Sequence, residues 1–197
     1  MDDRRGRREI EIKLKLASAA EGRRRLLAAG FRVSGKRQLE QNLVFDTPSR
    51  ALRRAGLLLR LRRSGRQAWL TYKGPVETGR HKTRREVELP VADPDALEAI
   101  LTGCGFEPAF RYEKFRTGFS HPQASGGATL LDETPIGIFL ELEGSPSWID
   151  AAARRLGFEP GEYITGGYGE LYVACCRRLG RRPGHMLFPS RRASRPA

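Results

Sequence analysis

Alternation begins almost at the start of the chain. In Glu9-Ile-Glu-Ile-Lys13-Leu-Lys-Leu16 the charges fall at 9, 11, 13 and 15 and the aliphatics at 10, 12, 14 and 16. A period of two predicts a β-strand with one ionic and one apolar face. The same acidic spacing returns at Glu86-Val-Glu88 and Glu141-Leu-Glu143. Like charges two apart on one face repel, so three such pairs in a small protein require an explanation.

Between these stretches the periodicity changes. Ser18-Ala-Ala-Glu21 has capping-box spacing, Leu26 and Leu27 continue an apolar stripe, and Gly30 before Phe31 is placed to stop a helix. Asp93-Pro94 opens a second helix over Leu97, Ile100 and Leu101, which stops near Gly103 to Gly105 before Phe106. Ser145-Pro146 opens a third over Trp148, Ile149, Ala152 and Leu156, followed by Gly157 and Phe158. A Glu-x-Glu strand, a capped helix and Gly-Phe thus recur three times as an approximate structural echo, with spacings too unequal for a solenoid. Further strands are predicted at roughly 37–45, 57–64, 67–73, 111–119 and 127–133, with a tight hairpin at Gly65. A short helix from Thr47-Pro48 to Gly56 and a last one over Tyr168 to Leu179 complete the pattern. About eight strands joined by turns, with few crossovers, favour an antiparallel sheet, and closing it removes its edges.

Which way the ionic faces point decides the chemistry. The acids on alternating positions are Glu9, Glu11, Glu86, Glu88, Glu141, Glu143 and Asp132; the bases are Lys13, Arg60, Arg62, Lys73, Arg84, Lys114 and Arg116. Pointing outward they would make a salt-bridged skin around an aliphatic barrel. The capped helices favour the inward choice, because an amphipathic helix needs an apolar surface to cover and an outward aliphatic face provides it. The expected fold is α+β, an eight-stranded antiparallel closed β-barrel with a tunnel through it and helices packed outside. Ions enclosed away from bulk water need partners. A polyphosphate with divalent cations satisfies both sets, since carboxylates suit Mg²⁺ or Mn²⁺ and Arg and Lys suit phosphate oxygens.

Composition adds less. The chain has 197 residues, 39% of them hydrophobic, which is enough for one well-filled core. Its net charge of +13 sits mostly in the ends. Residues 1–8 hold four Arg against two Asp, and residues 177–197 hold seven Arg and no acid, which leaves only +4 for 9–176. The expected organisation is a disordered basic start at 1–8, one domain at 9–176 and a disordered Arg-rich tail at 177–197 that could touch nucleic acid weakly. Cys104, Cys175 and Cys176 form neither a disulfide framework nor a zinc spacing, and no membrane span or signal segment is visible, so a cytoplasmic protein, monomer or homodimer, is expected. Gly74-Pro-Val-Glu-Thr-Gly79 lacks the Lys and hydroxyl of a P-loop. His81, His121 and His185 are expected in exposed loops, and Trp69 and Trp148 in packing roles.

At this point the residues resemble a family. Glu9-x-Glu11-x-Lys13 is similar to the ExExK signature of the CYTH superfamily, the triphosphate tunnel metalloenzymes. The likeness continues in family order through Val44-Phe-Asp-Thr-Pro48, Leu59-Arg-Leu-Arg62, Thr71-Tyr-Lys-Gly-Pro75, Arg84-x-Glu86-x-Glu88, Lys114-x-Arg116, and Asp132 with Glu141-x-Glu143. The resemblance implies a tunnel in which Glu9, Glu11, Asp132, Glu141 and Glu143 hold Mg²⁺ or Mn²⁺, with Glu9 or Glu11 lining up a water. It implies that Lys13, Arg60, Arg62, Lys73, Arg84, Lys114 and Arg116 bind the triphosphate and that Glu86 and Glu88 stand on the tunnel wall. The expected activity is hydrolysis of tripolyphosphate, a nucleoside triphosphate such as ATP, or thiamine triphosphate. The alternatives are a class IV adenylate cyclase making cyclic AMP and pyrophosphate, and a non-catalytic polyphosphate or RNA binder. Thr165-Gly166-Gly167 stands where many members carry a Lys and a Ser before a Tyr.

Overall fold

The computed structural model describes residues 6–77 and 79–189. Nine strands alternate with five helices: β1 (Arg7–Leu16), α1 (Ala19–Ala28), β2 (Arg32–Val33), β3 (Gln38–Asp46), α2 (Ala51–Arg54), β4 (Leu58–Ser64), β5 (Gln67–Lys73), β6 (Lys82–Pro90), α3 (Pro94–Gly103), β7 (Glu107–Ser120), β8 (Gly127–Thr134), β9 (Gly137–Gly144), α4 (Pro146–Arg155) and α5 (Tyr168–Arg178), with a 3₁₀ turn at Pro160–Glu162. All the strand pairings are antiparallel, in the order β2-β7-β3-β4-β5-β6-β1-β9-β8. A further β7–β8 pairing closes eight strands into a barrel, and β2 hangs on the end of β7. The eight-stranded antiparallel barrel with helices outside is therefore the fold.

The three capped helices form where the sequence places them, and for the reasons it gives. Ser18, Asp93 and Ser145 each accept hydrogen bonds from backbone N–H groups of the first turn. Each helix then stops on a glycine at positive φ (Gly30, Gly105 and Gly157), and the following Phe N–H bonds back to Leu26, Leu101 or Ala153. That turn drives Phe31 and Phe158 into the core and packs Phe106 beside Phe45 and Leu61. The core thus lies outside the barrel. Ile12, Leu14, Leu16, Leu131, Leu140 and Leu142 project outward under α1 and α4 and meet Leu26, Ile149 and Leu156, each fully buried aliphatic contributing about 1.5–3 kcal/mol. α3 covers a smaller cluster on Phe45, Leu61 and Ala68.

Three expectations need correction, and two elements are additions. The helix from Thr47-Pro48 is a single turn, Ala51–Arg54, because Asp46 accepts from the N–H groups of Thr47, Leu52 and Arg53 and holds 47–50 as a capping loop. β2 and the 3₁₀ turn carry no periodic signal and were not anticipated. The strand of residue 9 already begins at Arg7. The expected tail from 177 is ordered to 189: α5 runs to Arg178, and the following chain returns along β7, where Met186, 1% exposed, exchanges backbone bonds with Arg111 and Glu113. The remainder of the two expected termini, 1–5 and 190–197, lies outside the described residues. Among the described residues no helix is long and apolar enough to cross a membrane.

Candidate active site

The register of the barrel turns the sequence's ionic faces toward one another. Glu11 stands opposite Glu143 and Lys13 opposite Glu141 on β9, while Glu9 stands opposite Arg84 and Glu11 opposite Lys82 on β6. Lys73 faces Glu86, Thr71 faces Glu88, Glu40 faces Lys114, and Arg116 faces Asp132. Most of these side chains line a cavity of about 1030 Å³, and Glu40, Thr71 and Asp132 bond to the lining residues Arg62, Glu88 and Arg116. Glu9, Glu11, Lys13, Lys73, Lys82, Glu86, Lys114, Asp132 and Glu141 are all buried. Glu143, partly buried, lines the same cavity.

Most of these charges are paired. Lys73 Nζ donates to both oxygens of Glu9 at 2.6 Å and lies 2.9 Å from Glu86. Glu11 Oε1 accepts from Lys13 at 3.0 Å and Lys82 at 2.7 Å. Arg116 forks onto Asp132 at 2.7 Å and reaches Glu141 at 2.8 Å, and Lys114 adds a bond to Asp132 at 2.9 Å. Arg62 bridges Glu40 and Glu88. Arg60 donates to the Tyr112 and Thr71 hydroxyls and lies 3.9 Å from Glu88. Several buried polar atoms have no hydrogen-bond partner: the Nε of Arg60, Arg62 and Arg84, Glu40 Oε2, and both amide atoms of Asn42. Such atoms cost about 1–3 kcal/mol each unless something bonds them.

Electrostatics separates the acids into two kinds. Burial opposes ionisation of Glu11 and Glu40, but neighbouring cations hold Glu11 down at about 2 and Glu40 likewise at about 2. Asp132 and Glu141 lie well below the usual carboxylate range, because Arg116 and Lys114, joined for Glu141 by Lys13, outweigh burial. Glu143 behaves oppositely: burial, then the charge of Glu141, pushes it up to about 7. Glu9 is also raised by burial against the pull of Lys73. Carboxylate oxygens of Glu9, Glu11 and Glu143 lie within 4.8 Å of one another. Three hard oxygen donors converging, with Lys73, Lys13 and Lys82 on Glu9 and Glu11 but no ion pair on Glu143 among the described residues, fit a divalent cation of the Mg²⁺ or Mn²⁺ kind.

Of the residues singled out from sequence, Glu9, Glu11 and Glu143 come together as that cluster, while Asp132 and Glu141 lie among Lys13, Lys114, Arg116 and Tyr168. All the singled-out bases, with Glu86 and Glu88, line the same cavity. Sequence reasoning missed Glu40, Asn42, Thr71, Lys82, Tyr112 and Tyr168. Alternation with Leu39 and Leu43 could have found Glu40 and Asn42, and phase with Arg84 could have found Lys82. Tyr168 has no such signal. It opens α5, sits buried in the lumen and donates to Asp132 at 2.7 Å, with Lys13 and Lys114 ammoniums about 5 Å from its ring centre. The histidines differ from one another: His185 is exposed, whereas His81 is well covered and bonds Asp150 on α4 at 2.8 Å. Trp69 packs under the Arg62 guanidinium.

A closed antiparallel barrel with an ion-paired lumen and a three-carboxylate cluster defines a charged β-tunnel protein. The chain belongs to the CYTH domain family, whose model matches residues 7–164. It is 30% identical over 148 residues to a Methanocaldococcus jannaschii protein named "putative adenylate cyclase", covering 75% of this chain and 83% of that one. Among solved structures, a Vibrio parahaemolyticus protein with the same description superposes at a TM-score of 0.73 with 20% identity over 84% of this chain and 98% of its own. A Hippeastrum protein, a "putative adenylyl cyclase" described as having a dominant triphosphatase activity, gives 0.62 with 21% identity over 89% and 97%.

Proposed function

We propose that the chain is a metal-dependent triphosphatase that hydrolyses a small-molecule triphosphate held in the tunnel. The observation that carries this reading is that one cavity holds both the Glu9, Glu11 and Glu143 cluster and the basic groups Arg60, Arg62, Lys73, Arg84, Lys114 and Arg116. Eight acids in the lumen (Glu9, Glu11, Glu40, Glu86, Glu88, Asp132, Glu141, Glu143) face eight bases (Lys13, Arg60, Arg62, Lys73, Lys82, Arg84, Lys114, Arg116). The cavity wall also carries Arg7, Arg50, Arg53 and Arg54, an excess of positive charge that favours a polyanion, while the acids offer ligands to cations that enter with it. Glu9, Glu11 and Glu143 would hold the divalent cation, Mg²⁺ or Mn²⁺, which when bound supplies Lewis-acid polarisation of phosphoryl oxygens.

The chain's own groups do the rest. Arg60 and Arg84, whose Nε atoms make no hydrogen bond, donate to equatorial phosphoryl oxygens, and Lys73 and Lys114 add charge around them. Tyr112 and Thr71 fix the Arg60 fork before substrate arrives. Glu9 orients a water in line with the phosphorus and takes its proton at a carboxylate oxygen as the new P–O bond forms. The bond from the terminal phosphorus to the bridging oxygen breaks, its electron pair leaves on the departing diphosphate against the arginines, and the attacked phosphoryl group becomes phosphate.

A second reading is adenylate cyclase. The relative at 30% identity carries that name, and a cavity of about 1030 Å³ lies at the top of the range that encloses an organic ligand of about 300–1,000 Å³. Hydrolysis is preferred because the Hippeastrum protein, also named as a cyclase, is described as dominantly a triphosphatase. The deciding experiment offers tripolyphosphate, thiamine triphosphate and ATP with Mg²⁺ or Mn²⁺. Released phosphate supports hydrolysis, cyclic AMP with pyrophosphate supports the cyclase, and neither product in any combination rejects both.

A further inference from the structure

β6 turns Lys82, Arg84, Glu86 and Glu88 into the lumen, and Lys82 is the one among them that no motif singles out. It is 5% exposed and stands directly opposite Glu11. As a mere counter-ion it is surplus. Its bond goes to Glu11 Oε1, the same oxygen that already takes Lys13 at 3.0 Å, and Glu11 must also offer an oxygen to the three-carboxylate cluster. Two ammoniums and a divalent cation compete for one carboxylate, and Lys13 has Glu141 as a second partner.

Beside Lys82 lies the start of α5. A β-carbon built on Gly167 would sit 3.7 Å from Lys82 Nζ. The backbone demands neither Gly167, at φ −75°, nor Gly166, which is absent from the positive-φ residues. Crowding demands neither as well, since an added Cβ would meet nothing closer than 3.5 Å at Gly166 or 3.7 Å at Gly167. Glu170 also approaches this space, but its carboxylate is engaged in capping α5, accepting from the Gly167 N–H at 2.7 Å. Two glycines that neither torsion nor packing requires keep space open beside a buried ammonium, which is what close approach of an anionic oxygen needs.

We propose that Lys82 is a substrate-binding residue, its ammonium turning from Glu11 to a phosphoryl oxygen of the triphosphate seated beside Gly166 and Gly167. This rests on the triphosphate reading above. The exchange leaves Glu11 to Lys13 and the carboxylate cluster, so one lysine serves the acid before binding and the anion after it.

The test is calorimetric titration of the full chain with inorganic tripolyphosphate in Mg²⁺, and separately with Mn²⁺ alone. Loss of one charge-assisted contact predicts that K82M binds tripolyphosphate about ten-fold or more weaker, with Mn²⁺ affinity equal to wild type or tighter. K82R keeps the charge and should recover most of the loss. Gly167→Ala, which leaves every charge in place, should weaken tripolyphosphate binding by narrowing the space and covers the case in which K82M fails to fold. Unchanged tripolyphosphate affinity in K82M, or in Gly167→Ala where K82M is unfolded, overturns the assignment and leaves Lys82 as a counter-ion. Wild-type protein that binds no tripolyphosphate overturns the triphosphate reading as well, so the two failures are distinguishable.

Discussion

Replacing Asp132 by Asn tests whether the lumen is held together by buried ion pairs. Asp132 is fully buried, and its two oxygens accept from Arg116, Lys114 and the Tyr168 hydroxyl at 2.7–2.9 Å. The amide keeps the shape, removes the charge and turns an N–H toward donors. Removing one partner of a buried pair costs about 3–5 kcal/mol, because the remaining cations stay buried. A chain of this size loses roughly 2–4 °C in Tm per kcal/mol, so D132N should melt about 6–20 °C below wild type. Differential scanning calorimetry near neutral pH without divalent cations measures the gap directly. Its pH dependence supplies a check of sign. The folded carboxyl lies below its ordinary 3.8, so its stabilisation is complete above that value and is lost as pH falls through the folded pKa. The gap between D132N and wild type should therefore hold from neutral pH to about pH 5 and narrow in stronger acid. A D132N melt within about 2 °C of wild type would mean that the carboxylate is not what retains Arg116 and Lys114.

Glu143 gives the cleanest test of the cluster, because no ion pair is recorded for it among the described residues and Glu143→Gln orphans no buried cation. Turnover in Mg²⁺ or Mn²⁺ should fall by at least about a hundred-fold while the fold persists, and full activity would remove Glu143 from the site. Its raised pKa also predicts a slope in stability. Without divalent cations, wild-type protein should lose on the order of 3 kcal/mol between the ordinary 4.5 and about 7, as the neutral carboxyl is forced to ionise, and E143Q should lose much less over that window. Urea melts at several pH values in EDTA measure both, and parallel profiles for the two proteins would contradict the assignment. Arg60→Ala should raise KM about ten-fold or more with a smaller change in kcat, since it removes a preorganised phosphate donor; an unchanged KM speaks against that role. Glu11→Ala should also abolish turnover, but its melt should drop, because Lys13 and Lys82 both lose the oxygen they share.

The tail after α5 shows how composition misleads when burial is decided elsewhere. Arg181, Arg182 and Pro183 read as solvated chain, and they are exposed. Yet Met186, a few residues on, is buried against Tyr112 and Tyr168 because β7 leaves backbone groups of Arg111 and Glu113 free where it parts from β8. That free edge exists only once the barrel has closed, and no local pattern announces it. Tyr168 is a similar case, a lone aromatic whose place in the lumen follows from where α5 docks.

What the chain determined by itself is everything governed by neighbours in sequence. The two-residue period fixed which side chains share a strand face, and Ser18, Asp93 and Ser145 with Gly30, Gly105 and Gly157 fixed where three helices begin and end. Local hydrogen bonds and torsions suffice for both. What only tertiary structure decided is how those faces meet. Closure and register placed Glu143 beside Glu11 and Asp132 against Arg116, so that identical residue types became a candidate cation cluster in one place and a neutralised ion-pair lattice in another. A carboxylate's role depends on the charges within a few ångströms and on its distance from water, and both are properties of the closed barrel.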